Sequence, residues 1–432
     1  MTELLVSCAV IVASAAASAG TPKAETLIRF TVDATPAPKP ALRHLLLPDL
    51  KEMTQGNPIP NYLKCVLDQE ARGTNEPLDR AALKLADRAA RMDKPDWQIL
   101  PRLKTDGIGL LLPDVQKMRQ LASELQGRFR EEVALRRFDE ALVTARTMFA
   151  LSRHMGEHPT VIGSLVGVAI SFIGITPLEE MLSQPGCPNL YWALTALPYP
   201  LISLEKGLEG ERIFMTSEFR DLDDTNPMTT AQLKKLIEYL NRLLERGRAD
   251  QKVISWLRER AKDEKNLETA RKRLAAEGLR EDRLALFSPY QLLLLEAKLD
   301  YEILRDEGMK FAYLPTWEAV AALDAAEKAK SNALFAELLP SLFRVRRAQG
   351  RLEQRIAMLR HVEALRLYAA DHDGKLPAKL SDVGVPLPVD AFTGKPFRYE
   401  LIDGVAHVRG SPPKGEENVA VYNIHYEITI RK

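Results

Sequence analysis

Ala364 to Gly404 read ALRLYAADHDGKLPAKLSDVGVPLPVDAFTGKPFRYELIDG, and the order of these residues decides the fold of the C-terminal part of the chain. A helix is expected to run to Gly374, where glycine ends it in the left-handed conformation. A crossing bounded by prolines follows. Next come a compact turn at Asp390-Ala391-Phe392-Thr393-Gly394 and short alternating strands. Upstream, Met358, Val362, Leu365 and Ala369 recur at i, i+4, i+7 and i+11, an apolar stripe able to hold a small sheet. Downstream, strands at 396–402 and 405–409 are expected to form a hairpin across Asp403-Gly404, a favoured two-residue turn. Residues 418–431 (NVAVYNIHYEITIR) alternate as a closing strand. Tyr399, Leu401, Val405 and Ile428 are the expected strand-side contacts of the stripe.

The ALRLY helix, the Gly374-Lys375-Leu376-Pro377 crossing and the Asp390-to-Tyr399 turn and strand together resemble the soluble domain of type II secretion pseudopilins. The resemblance spans about 356–410 and implies a long helix carrying a small antiparallel sheet, with no reaction attached. A pseudopilin starts with a prepilin cleavage motif and a hydrophobic helix continuous with its sheet. Here the helix lies deep in the chain and Arg344, Arg346 and Arg347 precede it, while Asp390-Ala391 replaces the usual Asp-Pro. The implied reading is a reused module and no pilus subunit. The family's calcium loop does not carry over, because Gly410 to Glu417 (GSPPKGEE) lacks its aspartates. The chain as a whole resembles uncharacterised exported bacterial helical proteins with such a C-terminal segment.

At 432 residues the chain can bury a large core, and its 60 basic against 59 acidic residues leave no global field to draw in nucleic acid. Apolar content of 46% and charged content of 28% exclude wholesale disorder. Leu4 to Val12, followed by Ala17-Ser18-Ala19, read as a signal peptide over 1–19, with an uncleaved anchor as the alternative. Export to the periplasm or the extracellular space follows, with no stable membrane span after cleavage. Removal of Cys8 leaves Cys65 and Cys187, which either pair or are buried separately. Residues 20–44, with Pro22, Pro36, Pro38 and Pro40, read as a Pro/Ala-rich linker or extended arm.

From Glu76 to Gly374 the pattern is helical almost throughout. Helices are expected from Asp79 to Met92, after Pro113, across Glu132–Met155, and at 190–197, 201–220, 229–247, 249–277, 290–310, 316–330 and 333–373. Residues 161–174 (VIGSLVGVAISFIG) are apolar all round and read as a central core helix bounded by Pro159 and Pro177. Ala134 to Leu142 resembles part of a tetratricopeptide repeat without a second copy, which points to helix-hairpin packing alone. The resulting fold class is mainly α: a body of packed helical hairpins over 45–349, then the long helix plus sheet over 350–432.

Four clusters invite a chemical reading. His154-Met155-Gly156-Glu157-His158 matches H-x-x-E-H, but zinc ligation needs an unbroken helix, and Gly156 with Pro159 instead marks a helix end. Asp371-His372-Asp373-Gly374 begins like a calcium loop, yet positions five and six hold Lys375 and Leu376 where an oxygen ligand and glycine are needed, and Pro377 follows, so a helix cap is expected. Arg242 to Asp282 interleaves both charge signs around a single aromatic, Trp256, as on a solvated helix face. Gly207 and Gly210 mark either a close contact or a partner groove, while Gly163 and Gly167 point to close helix packing. Tyr191 and Trp192 are expected as core anchors. No P-loop, G-x-G-x-x-G or G-x-S-x-G occurs. The sequence therefore predicts no catalytic, cofactor or metal residues. The expected function is that of a non-catalytic envelope protein, structural or interacting with an envelope protein. An accessory role in a secretion or pilus-like assembly, or a hydrolase with an unrecognised site, are the alternatives.

Overall fold

The chain is mainly helical, and its described residues include a small four-stranded sheet. The computed structural model describes residues 25–72, 79–246, 253–328 and 333–432, so the expected signal segment 1–19 lies outside the described residues. After strand β1 (Thr26–Val32) come α1 (Ile59–Arg72), α2 (Arg80–Ala89), α3 (Leu100–Asp106), α4 (Pro113–Ala134) and α5 (Phe138–Gly156). Next are α6 (Val161–Leu182), α7 (Tyr191–Thr195), α8 (Glu205–Glu218), α9 (Thr230–Arg246) and α10 (Val253–Arg260). Then follow α11 (Glu264–Ala276), α12 (Glu281–Leu284), α13 (Pro289–Met309), α14 (Thr316–Lys328) and the long α15 (Leu342–Ala370). The strands β2 (Arg398–Ile402), β3 (Val405–Arg409) and β4 (Ile424–Ile430) close the chain. The described residues fall into two compact units, one within 1–100, 111–210 and 345–432, the other within 101–110 and 211–344.

In the first unit α4, α5 and α6 pack on one another through a core that includes Leu121, Leu125, Phe129, Met148, Leu151, Ile170 and Leu178. Glycine lets α5 and α6 approach: a Cβ on Gly167 would stand 2.7 Å from the Ser152 carbonyl oxygen. Helix α6 corrects the expectation of a stretch ending before Pro177, for it spans 22 residues with Pro177 inside it. Proline has no N–H to offer the carbonyl four residues back. That carbonyl, of Ile173, instead accepts a 2.7 Å hydrogen bond from the Gln126 amide of α4. A neighbouring helix thus satisfies the acceptor that proline orphans, and the helix continues. By length and composition α6 is apolar enough to cross a membrane, and 67% of its most apolar stretch is buried inside the protein.

The sheet is ordered β1-β4-β3-β2, and it corrects two expectations. It is mixed and not wholly antiparallel, because β1 runs parallel to β4 from Thr26↔Ile424 to Val32↔Ile430. The added strand comes from residues 20–44, so this arm is a structural strand and not a free linker over 26–32. Its TLIRFTV alternation buries Phe30 and Val32. Register places them on one face with Ala406, Val408, Tyr426 and Ile428, all at most 2% exposed. Helix α15 buries Met358, Val362, Leu365 and Ala369, the expected stripe. Two strand-side expectations change: Leu401 on edge strand β2 stays 39% exposed, and Val405, paired with Ile402, alternates onto the opposite face from Ala406. The β2–β3 turn is as read, with φ of 49° at Asp403 and 79° at Gly404, both left-handed.

Charges buried along α15 tie these pieces together. Arg366 and Glu363 form a 2.8 Å ion pair in which both side chains are 0% exposed. The guanidinium also donates to the Asp33 and Cys187 carbonyls and to Thr35 Oγ1, at 3.0, 2.7 and 2.9 Å. Glu363 accepts the Leu190 N–H at 2.8 Å. One ion pair therefore holds the β1 arm and the 187–190 loop onto α15. Further along, Arg355 grips Glu179 of α6 with two hydrogen bonds of 2.5 and 2.7 Å, and the buried Tyr426 hydroxyl donates to the same carboxylate.

The second unit has its own apolar core, built from Leu236, Leu240, Val253, Leu257, Leu267, Leu293, Leu294 and Phe335 among others. Gln291, fully buried at the start of α13, organises the loop before α9. Its amide donates to the Asp223 and Asn226 carbonyls and accepts the Met228 N–H.

Candidate functional site

The H-x-x-E-H residues do not converge. Helix α5 stops at Gly156, before His158, and Glu157 is exposed. His154 is buried and its Nδ1 lies 3.2 Å from the Tyr62 hydroxyl, while its carbonyl accepts the Trp97 indole N–H at 3.1 Å. His158 Nδ1 lies 2.8 Å from Thr160 Oγ1, and its ring meets the Trp97 ring edge-on at 4.8 Å. Desolvation holds both imidazoles down to about 4, so each is neutral at pH 7. Gly163 leaves room for the His158 side chain, whose Cβ and ring Cγ a Cβ here would approach to 2.4 and 2.5 Å.

The other sequence candidates fall into internal contacts as well. A Cβ on Gly210 would lie 1.9 Å from the Pro159 carbonyl oxygen and one on Gly207 2.8 Å from Ser164 Oγ, so this pair marks a close contact. Asp371 to Gly374 form an exposed turn that ends α15, with φ of 51° at Asp373 and 74° at Gly374. Cys65 and Cys187 are free, buried thiols, pushed up to about 12 by desolvation. Tyr191 is fully buried, and Trp192 meets it edge-on at 5.0 Å. Asp390, fully buried, accepts from the Phe392 and Ser411 N–H groups and the Gln354 amide at 2.9, 2.7 and 3.0 Å. That carboxylate is the hub of the turn, and burial pushes its pKa up. In the charged stretch of the second unit, a shallow cleft of about 290 Å³ is lined by Trp256, Arg260, Arg273 and Asp300. Its arginines are taken up by Glu296 and Asp300, which leaves little free positive charge.

The feature that sequence reading missed lies on the sheet face turned away from the buried side chains. Alternation places Leu27, Arg29, His407, Arg409, His425 and Glu427 there, with Arg29, Glu427 and His407 in one register row. His407 Nδ1 is 2.9 Å from His425 Nε2 and 3.9 Å from Glu427 Oε1. The second ring nitrogen of His425, Nδ1, is 3.0 Å from a Glu25 carboxylate oxygen, and Arg29 Nε donates to Glu427 Oε2 at 2.8 Å. His425 is 3% exposed, whereas His407 and Glu427 are half-buried. Among the described residues this is the group of three histidine or carboxylate side chains whose ligand atoms come together, all within 4.8 Å. The signal was present as His425-Tyr426-Glu427: an H-x-E step on a strand puts both side chains on one face.

No family model, curated protein or solved structure matches this chain.

Proposed function

We propose that this protein is a non-catalytic structural or protein-interaction module of the cell envelope, exported to the periplasm or the extracellular space, and that its C-terminal segment is a reused pseudopilin-like module. The observation that carries this reading is the Glu363–Arg366 pair, which fixes the arm and the 187–190 loop onto the helix that underlies the sheet. Buried charges used this way make a rigid, preassembled platform. The clusters that most resemble catalytic motifs serve the same end, since His154 and His158 are held neutral by burial and bonded to Tyr62 and Thr160. The order of α15, the Asp390 turn and the β2–β3 hairpin supports the pseudopilin-like reading and, with it, an accessory role in a secretion or pilus-like assembly. That second reading rests on fold analogy.

The test is isolation of the chain from its native envelope after cross-linking in the cell. Intact mass should show removal of residues 1–19, and a cross-linked species of defined stoichiometry should contain the mature chain. A cytoplasmic chain retaining Met1, or a hydrolytic turnover abolished by His154→Ala, would replace this reading.

A further inference from the structure

The open face of the sheet carries chemistry that a structural platform does not require. Two imidazoles and a carboxylate from β3 and β4 meet there, and two of the three, His425 and Glu427, each have a further polar partner, Glu25 and Arg29, that fixes its orientation. In a tetrahedral site with metal–ligand bonds of about 2.0–2.1 Å, neighbouring ligand atoms stand about 3.3 Å apart. The observed separations of 2.9 Å (His407 Nδ1 to His425 Nε2) and 3.9 Å (His407 Nδ1 to Glu427 Oε1) bracket that value. All three ligand atoms lie within 4.8 Å of one another, so rotation about side-chain bonds, without movement of the strands, would draw them to that spacing.

The geometry points to a binding site for a divalent transition-metal ion of the zinc class, with His407 Nδ1, His425 Nε2 and Glu427 Oε1 as ligands. Two nitrogens and one carboxylate oxygen suit Zn²⁺ and its neighbours better than Mg²⁺ or Ca²⁺, which take oxygen ligands. The partners behind the ligands favour the same assignment. A ligating histidine characteristically donates its other ring N–H to a carboxylate, which fixes the tautomer and raises ligand basicity. Donation of its Nδ1–H to the Glu25 carboxylate, 3.0 Å away, would leave His425 Nε2 as a lone-pair nitrogen; His407 then faces it with Nδ1–H in the metal-free protein and would ligate as the other tautomer, its proton moved to Nε2. Glu427 divides its oxygens, Oε2 to Arg29 and Oε1 to the ligand cluster. Three protein ligands leave one position for water on the side of His407 and Glu427, the two half-buried members.

Arg29 lies in β1 and Glu25 immediately precedes it, so the arm that completes the sheet also supplies the groups that orient two ligands. These residues are unrelated to His154 and His158, where the sequence predicts no metal. The proposal goes beyond the structural role of the platform and does not depend on it.

The experiment is titration of the chelator-treated full chain with Zn²⁺ by calorimetry, and with Co²⁺ by visible absorption, which reports coordination geometry. One ion per chain is expected. His407→Ala, on the half-exposed face, and His425→Gln should each abolish stoichiometric binding while leaving the circular dichroism unchanged. Glu25→Gln keeps an acceptor for the imidazole but removes its charge, and should weaken binding about 10–100-fold at unchanged stoichiometry. His154→Ala should bind as the parent does. Failure of the folded parent chain to bind Zn²⁺, full binding by His407→Ala, or loss of binding in His154→Ala would each overturn the assignment.

Discussion

Glu363→Gln is the perturbation that bears most directly on how this module is held together. The substitution keeps the shape of the side chain and removes its charge. Arg366, at 0% exposure, is then a buried cation whose remaining partners are the neutral Asp33, Pro188 and Cys187 carbonyls and Thr35 Oγ1. Removing one member of a buried ion pair typically costs about 3–5 kcal/mol, because the surviving charge stays desolvated. The neutral acceptors around Arg366 place the expected loss toward the lower end, about 3 kcal/mol. That is a large share of a domain stability of about 5–15 kcal/mol. The assay is urea unfolding of parent and variant, combined with hydrogen exchange. Residues 26–35 and 187–190 should lose protection first, because Arg366 and Glu363 contact both segments directly. A loss below about 1 kcal/mol, or a loss spread evenly over α4–α6 with these segments unchanged, would refute the view that this pair braces the arm.

Further outcomes follow from other contacts. Gln126→Ala should cost about 1–3 kcal/mol by orphaning the Ile173 carbonyl, and adding Pro177→Ala, which restores a backbone donor, should recover part of that loss in a double-mutant cycle. Gly210→Ala, with its Cβ 1.9 Å from the Pro159 oxygen, should destabilise by about 1–3 kcal/mol or more, whereas Gly127→Ala, on an exposed helical position with nothing within 4 Å, should stabilise by about 0.5–1 kcal/mol in thermal unfolding. His154, His158 and His361 are each held down to about 4 by burial, below the ordinary 6.5, so the stability they contribute is complete above pH 6.5 and is lost as pH falls toward 4. Each accounts for roughly 3 kcal/mol at most. Asp390, pushed the other way by burial, opposes that trend. His158→Asn should flatten the slope of stability against pH between 6.5 and 4, and an unchanged slope would contradict the burial argument.

The parts of the fold legible in the sequence are those set by local pattern. The Met358-Val362-Leu365-Ala369 stripe, the Asp403-Gly404 turn and the Asp390 turn need only neighbouring residues to specify them. Three features escaped for the same physical reason, in that their cause lies elsewhere in the chain. TLIRFTV sits among prolines and reads as an arm until β4, some four hundred residues away, provides its parallel partner. Pro177 reads as a helix boundary unless Gln126 of another helix is there to accept its consequence. His407 and Glu427 are unremarkable surface residues until strand register sets them opposite each other. The glycine pair Gly207 and Gly210 was visible as small-residue spacing, but only the approach of Pro159 and Ser164 distinguishes a close contact from a groove.

The most direct test of the account is hydrogen exchange of the intact, unmodified chain across residues 26–32. This segment is a strand of the sheet, bonded to the residues flanking β4 at both ends through Thr26 N–H to the Asn423 carbonyl and Arg431 N–H to the Val32 carbonyl, each 2.8 Å. Its amides should therefore be protected to the same level as those of 424–430 and should open together with them. Exchange of 26–32 within seconds while 424–430 stay protected would show a free arm. It would remove both the mixed sheet and the platform built on it.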